Sequence, residues 1–282
     1  MSPMAQRSLI LLTAVVLALA GMLLVRRRTS HDELKENTDF AALSYAIIGA
    51  VYGVYLAFTI VVVWDQFGEA EQNAASEAVY ISQVWRDVQV LPAEARMAVE
   101  ATLIGYADSV IQHEWPSMAA DRIPSPVTAA TYEALWRQLY AVRPLVTAPG
   151  DQAFFNEAVV QMNALGMSRR LRLLSASAEL PAIMWDLLVV GGLVTVVFTY
   201  AIGTRSVLVQ GLMTAAVAGL VVFSLLIVAA LQHPFQGDVA VTPEAMQGVR
   251  DSFEQRRAEH LDGVPGAPAV QQTVAPAPAA GR

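Results

Sequence analysis

Four histidines and one group of opposite charges are the side chains with chemistry to offer. His31, His113, His233 and His260 stand on four separate segments. No two of them have the i, i+4 spacing that puts a pair of imidazoles on one helix face, and His113-Glu114-Trp115-Pro116 lacks the second histidine of the HExxH metalloprotease arrangement. There is no cysteine. This excludes a thiolate nucleophile, a disulfide framework and cysteine-ligated zinc or iron–sulfur clusters. A GxSxG elbow, a Walker-type phosphate loop and a GxGxxG fingerprint are also absent. The sequence offers an enzyme reading no residues to rest on, and neither a metal nor a cofactor is expected.

Glu77 with Arg169, Arg170 and Arg172 is the remaining constellation. Arginines at the mouth of a membrane path hold anions, and a glutamate beside them balances or gates the charge. A salt-bridged bundle or a solvated helix face uses the same residue types and is the more common setting.

The elements that must position these groups belong to a membrane protein. The 282-residue chain is 55% hydrophobic and 15% charged, against about 25% charged in soluble proteins. The apolar residues fall in four uncharged blocks. Residues 40–64 form the clearest, and Ala41 to Val63 within them make roughly 34 Å of helix at about 1.5 Å per residue, enough to cross a hydrocarbon core. Residues 8–25, 183–203 and 207–231 supply the other three spans. A cleaved signal peptide is the competing reading for the first block, but its apolar run continues to Arg26-Arg27-Arg28 as a stop-transfer segment does.

Within the second span Gly49 and Gly53 make a GxxxG, flanked by Ala42, Ala46, Ala50 and Ala57. Small residues in such a row let two helix backbones approach closely in lipid, whether the partner is another span or another copy of the chain. Tyr45 and Tyr52 share a face of this helix, and either line a path or serve as an interfacial anchor and a packing residue. Thr195 and Thr199 in the third span, with Gln210 and Thr214 in the fourth, either hydrate a pore or hydrogen-bond between helices.

Between the second and third spans, residues 65–182 carry 14 acidic residues against 8 arginines. Apolar residues recur there at helical spacing and the prolines punctuate the pattern. The segment reads as a four-helix extramembrane domain with breaks near Pro92, Pro116, Pro124 and Pro144. An acidic surface without a basic stripe excludes nucleic acid as a partner. The repeated Trp64-Asp65 and Trp185-Asp186 suit one interfacial belt. Glu77 and Arg172 lie equally far from it along straight helices, roughly 20 Å out, so Glu77 is predicted to pair with Arg172 or with Arg169 one turn away. Residues 26–39 form a basic linker that the positive-inside tendency places in the cytoplasm of an inner-membrane protein, with 65–182 outside. A C-terminal segment, 232–263, precedes a Pro/Ala-rich tail, 264–282, expected to be disordered.

Read in order, several strings resemble the bacterial bestrophin-like membrane family. They are Asn37-Thr38-Asp39-Phe40, Ile48-Gly49-Ala50-Val51-Tyr52-Gly53-Val54, Glu77-Ala78, Leu91-Pro92, Glu114-Trp115-Pro116, Arg169-Arg170-Leu171-Arg172, Leu180-Pro181 with Trp185, Gln210-Gly211-Leu212-Met213-Thr214 and Pro234-Phe235-Gln236-Gly237. The resemblance runs from about Asn37 to Met246. It implies an all-α integral membrane protein, a homo-oligomer in the lipid bilayer, and possible ions as its cargo. Bestrophins proper are pentameric ion channels with a pore lined by the second helix, anion-selective in animals and cation-selective in some bacterial members. They keep the segment between the second and third spans in the cytoplasm, the opposite of what Arg26-Arg27-Arg28 imply. The acidic balance of that segment also disfavours anion entry by long-range steering. The rival expectation is a non-conducting sensor or scaffold whose helical domain binds a ligand or partner.

Overall fold

The structure, a computed structural model, describes residues 3–29 and 38–262. His31, most of the 26–39 linker and the 264–282 tail lie outside the described residues. Regular structure among the described residues is entirely helical. In chain order the α-helices are α1 (Pro3–Arg28), α2 (Thr38–Asp87), α3 (Ala93–Ser109), α4 (Trp115–Asp121), α5 (Pro126–Val142), α6 (Pro149–Ser177), α7 (Ala182–Phe198), α8 (Val207–Leu231) and α9 (Glu244–Asp262).

The chain divides into two compact units. The first contains residues 3–29, 38–75, 115–124 and 167–242 of the described chain. Four of its helices are long and apolar enough to cross a membrane: Met4–Arg28, Thr38–Val90, Ala182–Ala201 and Val207–Leu231, the second of which runs on into the other unit. The outward side chains of these helices, such as Leu12, Val51, Leu193 and Leu208, are exposed, as lipid-facing residues are. Helix α1 lies along α8, and α8 along α7. The glycine row of α8 explains the first contact: a Cβ at Gly211 would sit 3.7 Å from Leu19, and one at Gly219 3.9 Å from Val15. Ala18, Val196 and Ala218 form one small-residue core. Val63, Leu180, Leu188, Val228 and Leu231 form another, where α2, α7 and α8 meet.

Helix α2 has 50 residues and no proline within it, so nothing interrupts its backbone ladder over about 75 Å. It ends in a 3-10 turn, Val88–Val90. Pro92 then stands as the N-cap of α3 with an extended backbone.

The second unit contains residues 76–114, 125–166 and 243–262 of the described chain. Here α3 packs on α5 and α9 on α3. Leu103, Tyr106, Leu139, Met162 and Leu165 are fully buried, and each such aliphatic or aromatic side chain contributes roughly 1.5–3 kcal/mol by leaving water. Ser125 caps α5 through its side chain, accepting from the Thr128 amide, with Pro126 in the first turn. Ser109 and Thr128 exchange a pair of hydrogen bonds between α3 and α5 at 2.9 and 3.0 Å.

Two local outcomes differ from the sequence reading. Trp115-Pro116 does not stop the helical run: a π turn, Val110–Glu114, leads directly into α4. The wider turn relieves the clash between a proline ring and the carbonyl four residues earlier. The run ends instead at Arg122, which takes a left-handed φ of 60°. Residues 244–262, for which the sequence reading gave only a C-terminal segment without an element, form α9. Its apolar positions Met246, Val249 and Phe253 are few among many charges, which hides the helical period.

Candidate functional site

Helix α2 presents three stripes along residues 38–64. The first is buried: Ala41, Tyr52, Thr59 and Val63 are covered, and the Tyr52 hydroxyl donates to the Leu188 carbonyl at 3.1 Å. One turn on, the Tyr55 hydroxyl donates to the Met184 carbonyl at 3.1 Å. Both carbonyls belong to α7, so this stripe fastens α2 to α7. Glycine is required opposite Tyr52, because a Cβ at Gly191 would stand 2.7 Å from its ring and one at Gly192 2.9 Å from its oxygen. The second stripe is bulky, apolar and exposed, with Leu43, Ile47, Val54, Phe58 and Val61. The third is the small-residue row. Ala42, Ala46, Ala50, Gly53 and Ala57 are exposed, and nothing among the described residues lies within 4 Å of a Cβ built at Gly49 or Gly53. Within the described chain the GxxxG therefore has no partner span.

Tyr45 sits on the same side of α2 as Tyr52 but lines a groove with Thr199, Gln210 and Met213. The polar residues of α7 and α8 are bonded within the bundle. Thr195 donates to the Gly191 carbonyl of its own helix at 2.8 Å. The hydroxyls of Thr199 and Thr214 are 3.0 Å apart, joining the end of α7 to α8. Gln210 is buried and accepts from the Arg26 guanidinium at 2.6 Å, while its amide faces the Thr199 and Tyr200 carbonyls. Arg26 also donates to the Thr204 and Arg205 carbonyls at 2.9 and 3.2 Å. Sequence reasoning took Arg26 as a mark of orientation and missed this role. A glutamine buried in an apolar span was the available signal, since it needs a partner.

The charged constellation is divided between the units: Glu77 belongs to the second, and Arg169, Arg170 and Arg172 to the first. Glu77 is fully buried and accepts from the Tyr106 hydroxyl at 2.6 Å. Arg172 is also fully buried. Its guanidinium stacks 4.9 Å over the Trp115 ring and its Nη1 lies 3.1 Å from the Met118 sulfur, a cation–π setting that suits a delocalised charge. Arg169 is half-buried and Arg170 exposed. Trp115 in turn donates to the Val241 carbonyl at 3.0 Å and meets Phe235 edge-on. Gln236 donates to the Ala119 carbonyl at 2.7 Å, and Gly237 takes a φ of 86° that favours glycine. The Pro234-Phe235-Gln236-Gly237 string is thus the clamp that ties the chain after α8 to α4. Among the described residues no group of three histidine, cysteine, aspartate or glutamate side chains is arranged to hold a metal.

The model of the Bestrophin-like domain matches residues 12–246. The chain belongs to the Bestrophin-like family. Solved structures agree with this bestrophin-like architecture. A point variant of a bacterial bestrophin homolog from Klebsiella pneumoniae superposes with a TM-score of 0.68 at 11% identity, over 88% of this chain and 98% of that one. A second variant of that homolog gives 0.69 at 12% identity, over 92% and 99%. A variant described only as a membrane protein gives 0.71 at 10% identity, over 88% and 98%. At such identities the likeness shows the bestrophin fold alone. No curated protein matches the chain.

Proposed function

We propose that this bestrophin-like chain assembles with copies of itself in the inner membrane into an ion channel or a channel-related assembly, with α2 as the path-forming helix, and that it is not an enzyme. The observation that carries this reading is the uncovered small-residue row from Ala42 to Ala57. Lipid tails gain nothing from such a row, whereas a neighbouring helix does, through close backbone approach. A second copy set against the row leaves the adjacent stripe of Val54, Phe58 and Val61 facing the enclosed axis, where apolar side chains gate by excluding water. Family membership supports the same assignment.

Because the chain has no cysteine, Ala50→Cys gives a clean test. Mild oxidation should join copies of this variant covalently, while Leu193→Cys on the exposed face of α7 should stay un-cross-linked. Equal cross-linking of both would remove the support for an α2 interface.

Orientation divides the available arguments. Arg27, Arg28 and Arg205 favour the cytoplasmic leaflet for their end of the spans, which places α3, α5 and most of α6 outside; bestrophins keep the corresponding segment inside. We take the outside placement. Labelling of Asn156→Cys by an impermeant maleimide on intact cells supports it, and labelling only after lysis refutes it.

The sensor reading draws on one observation, the unbroken 50-residue α2, which runs from the span into the second unit. In that case the assembled protein binds a ligand or partner and conducts nothing.

A further inference from the structure

Where α1 ends, a partly open groove of about 260 Å³ lies between α2, the turn after α7, and α8. Its walls include Tyr45, Thr199, Gln210, Met213, Ala216 and Val217 and are chiefly apolar. From Gln210 to Val217 it follows α8 for about 10 Å at 1.5 Å per residue, running from the span end toward the middle of the membrane. The mouth is basic. Arg26 is bonded to Gln210, which lines the groove, and to the carbonyls of Thr204 and Arg205. All three acceptors are neutral, so among the described residues these bonds leave its charge without a counterion. Arg27 and Arg28 follow Arg26 in sequence, Arg205 supplies one of its carbonyl acceptors, and all three side chains are exposed. Among the described residues no acidic side chain forms an ion pair with any of the four.

The other end of α1 provides a contrast. Arg7 also borders an apolar groove, lined by Leu11, Trp64 and Phe223, but its guanidinium is 3.4 Å from Asp238. That end balances its charge with a described carboxylate; among the described residues the Arg26 end has none.

We propose that the groove at the Arg26 end binds an anionic phospholipid, one acyl chain lying along Met213, Ala216 and Val217 and the phosphate held by Arg27, Arg28 and Arg205. An apolar channel that opens under a cluster of arginines at a span end fits the two halves of such a lipid. A soluble phosphate has no use for the channel, and a zwitterionic headgroup brings its own cation to the arginines. Arg26 then has a structural part, holding the turn after α7 to α8, and supplies the positive field beneath the headgroup.

The test is lipid retention by the purified full-length protein in native mass spectrometry, with phosphatidylglycerol and phosphatidylcholine offered in equal amounts. Ala216 is exposed, so Ala216→Trp fills the groove without entering the core; circular dichroism and thermal melting verify that each variant is folded. The wild-type chain should retain phosphatidylglycerol about tenfold over phosphatidylcholine. Each of Arg27→Gln, Arg28→Gln and Arg205→Gln should lower that preference up to about fivefold, and Ala216→Trp should release both lipids. Equal retention of the two lipids by the wild type, unchanged retention in the folded Ala216→Trp variant, or displacement of the lipid by inorganic phosphate would overturn the proposal.

Discussion

The hydroxyl of Tyr52 donates to the backbone carbonyl of Leu188, and its ring occupies the space that side chains at Gly191 and Gly192 would need. The bond itself adds little, because the carbonyl already accepts within α7. The close approach of α2 to α7 matters more, and it rests on the two glycines.

Gly192→Ala should therefore destabilise the bundle more than Tyr52→Phe. The new Cβ would meet Val221 at 2.7 Å and the Tyr52 oxygen at 2.9 Å, an overpacking that costs about 1–3 kcal/mol. Loss of the Tyr52 hydroxyl should cost about 0.6 kcal/mol, the average for hydrogen bonds between membrane helices. Thermal unfolding in detergent ranks the two variants, and the reverse order would contradict this account of the contact.

The stack of Trp85 on Phe253, with ring centroids 4.2 Å apart and planes 11° from parallel, anchors α9 in the second unit. Both rings are fully buried. Phe253→Ala should cost about 3–5 kcal/mol in that unit and expose Trp85, seen as red-shifted tryptophan emission and faster proteolysis of α9. Unchanged emission together with unchanged protease resistance would show that α9 is held by other means.

Much of this architecture was legible in the chain, since long uncharged runs have one physical solution in lipid. Residues 207–231 were read as a span, and α8 has those bounds. Harder to read were features that depend on what lies opposite. The sequence shows that Gly49 and Gly53 form a small-residue row, but only the fold reveals that no span of the described chain covers it while Gly211 and Gly219 meet α1. Tyr45 and Tyr52 share a face at seven residues' separation, and the sequence does not show what each meets there: one lines a groove and the other is fastened to α7. Helix α9 escaped because a few apolar residues among many charges give a weak period. Arg26 escaped because its partner is 184 residues away.

His233 follows α8, outside the spans, with its Nδ1 buried and without a hydrogen-bond partner. Burial lowers its pKa below the usual value of 6.5, Arg122 adds to the effect, and Glu179, which pairs with Arg122, opposes it. The folded chain thus prefers the neutral imidazole. Its contribution is fully present above about pH 6.5 and is lost as pH falls below that toward the lowered native value. Between about pH 7.5 and 5.5 the melting temperature of the wild type should fall more than that of His233→Asn. Parallel profiles would mean that protonation of this histidine does not oppose folding.

The central claim, a path formed by α2, is tested most directly by ion flux through proteoliposomes holding the wild-type protein, with Phe58→Ala and Tyr52→Phe alongside. The account predicts selective flux, a several-fold increase when the apolar stripe is trimmed at Phe58, and little change from Tyr52→Phe, whose ring faces α7 rather than the path. No flux of anions or cations from a folded, cross-linkable assembly would contradict it, and would leave the sensor reading, with its ligand still to be found.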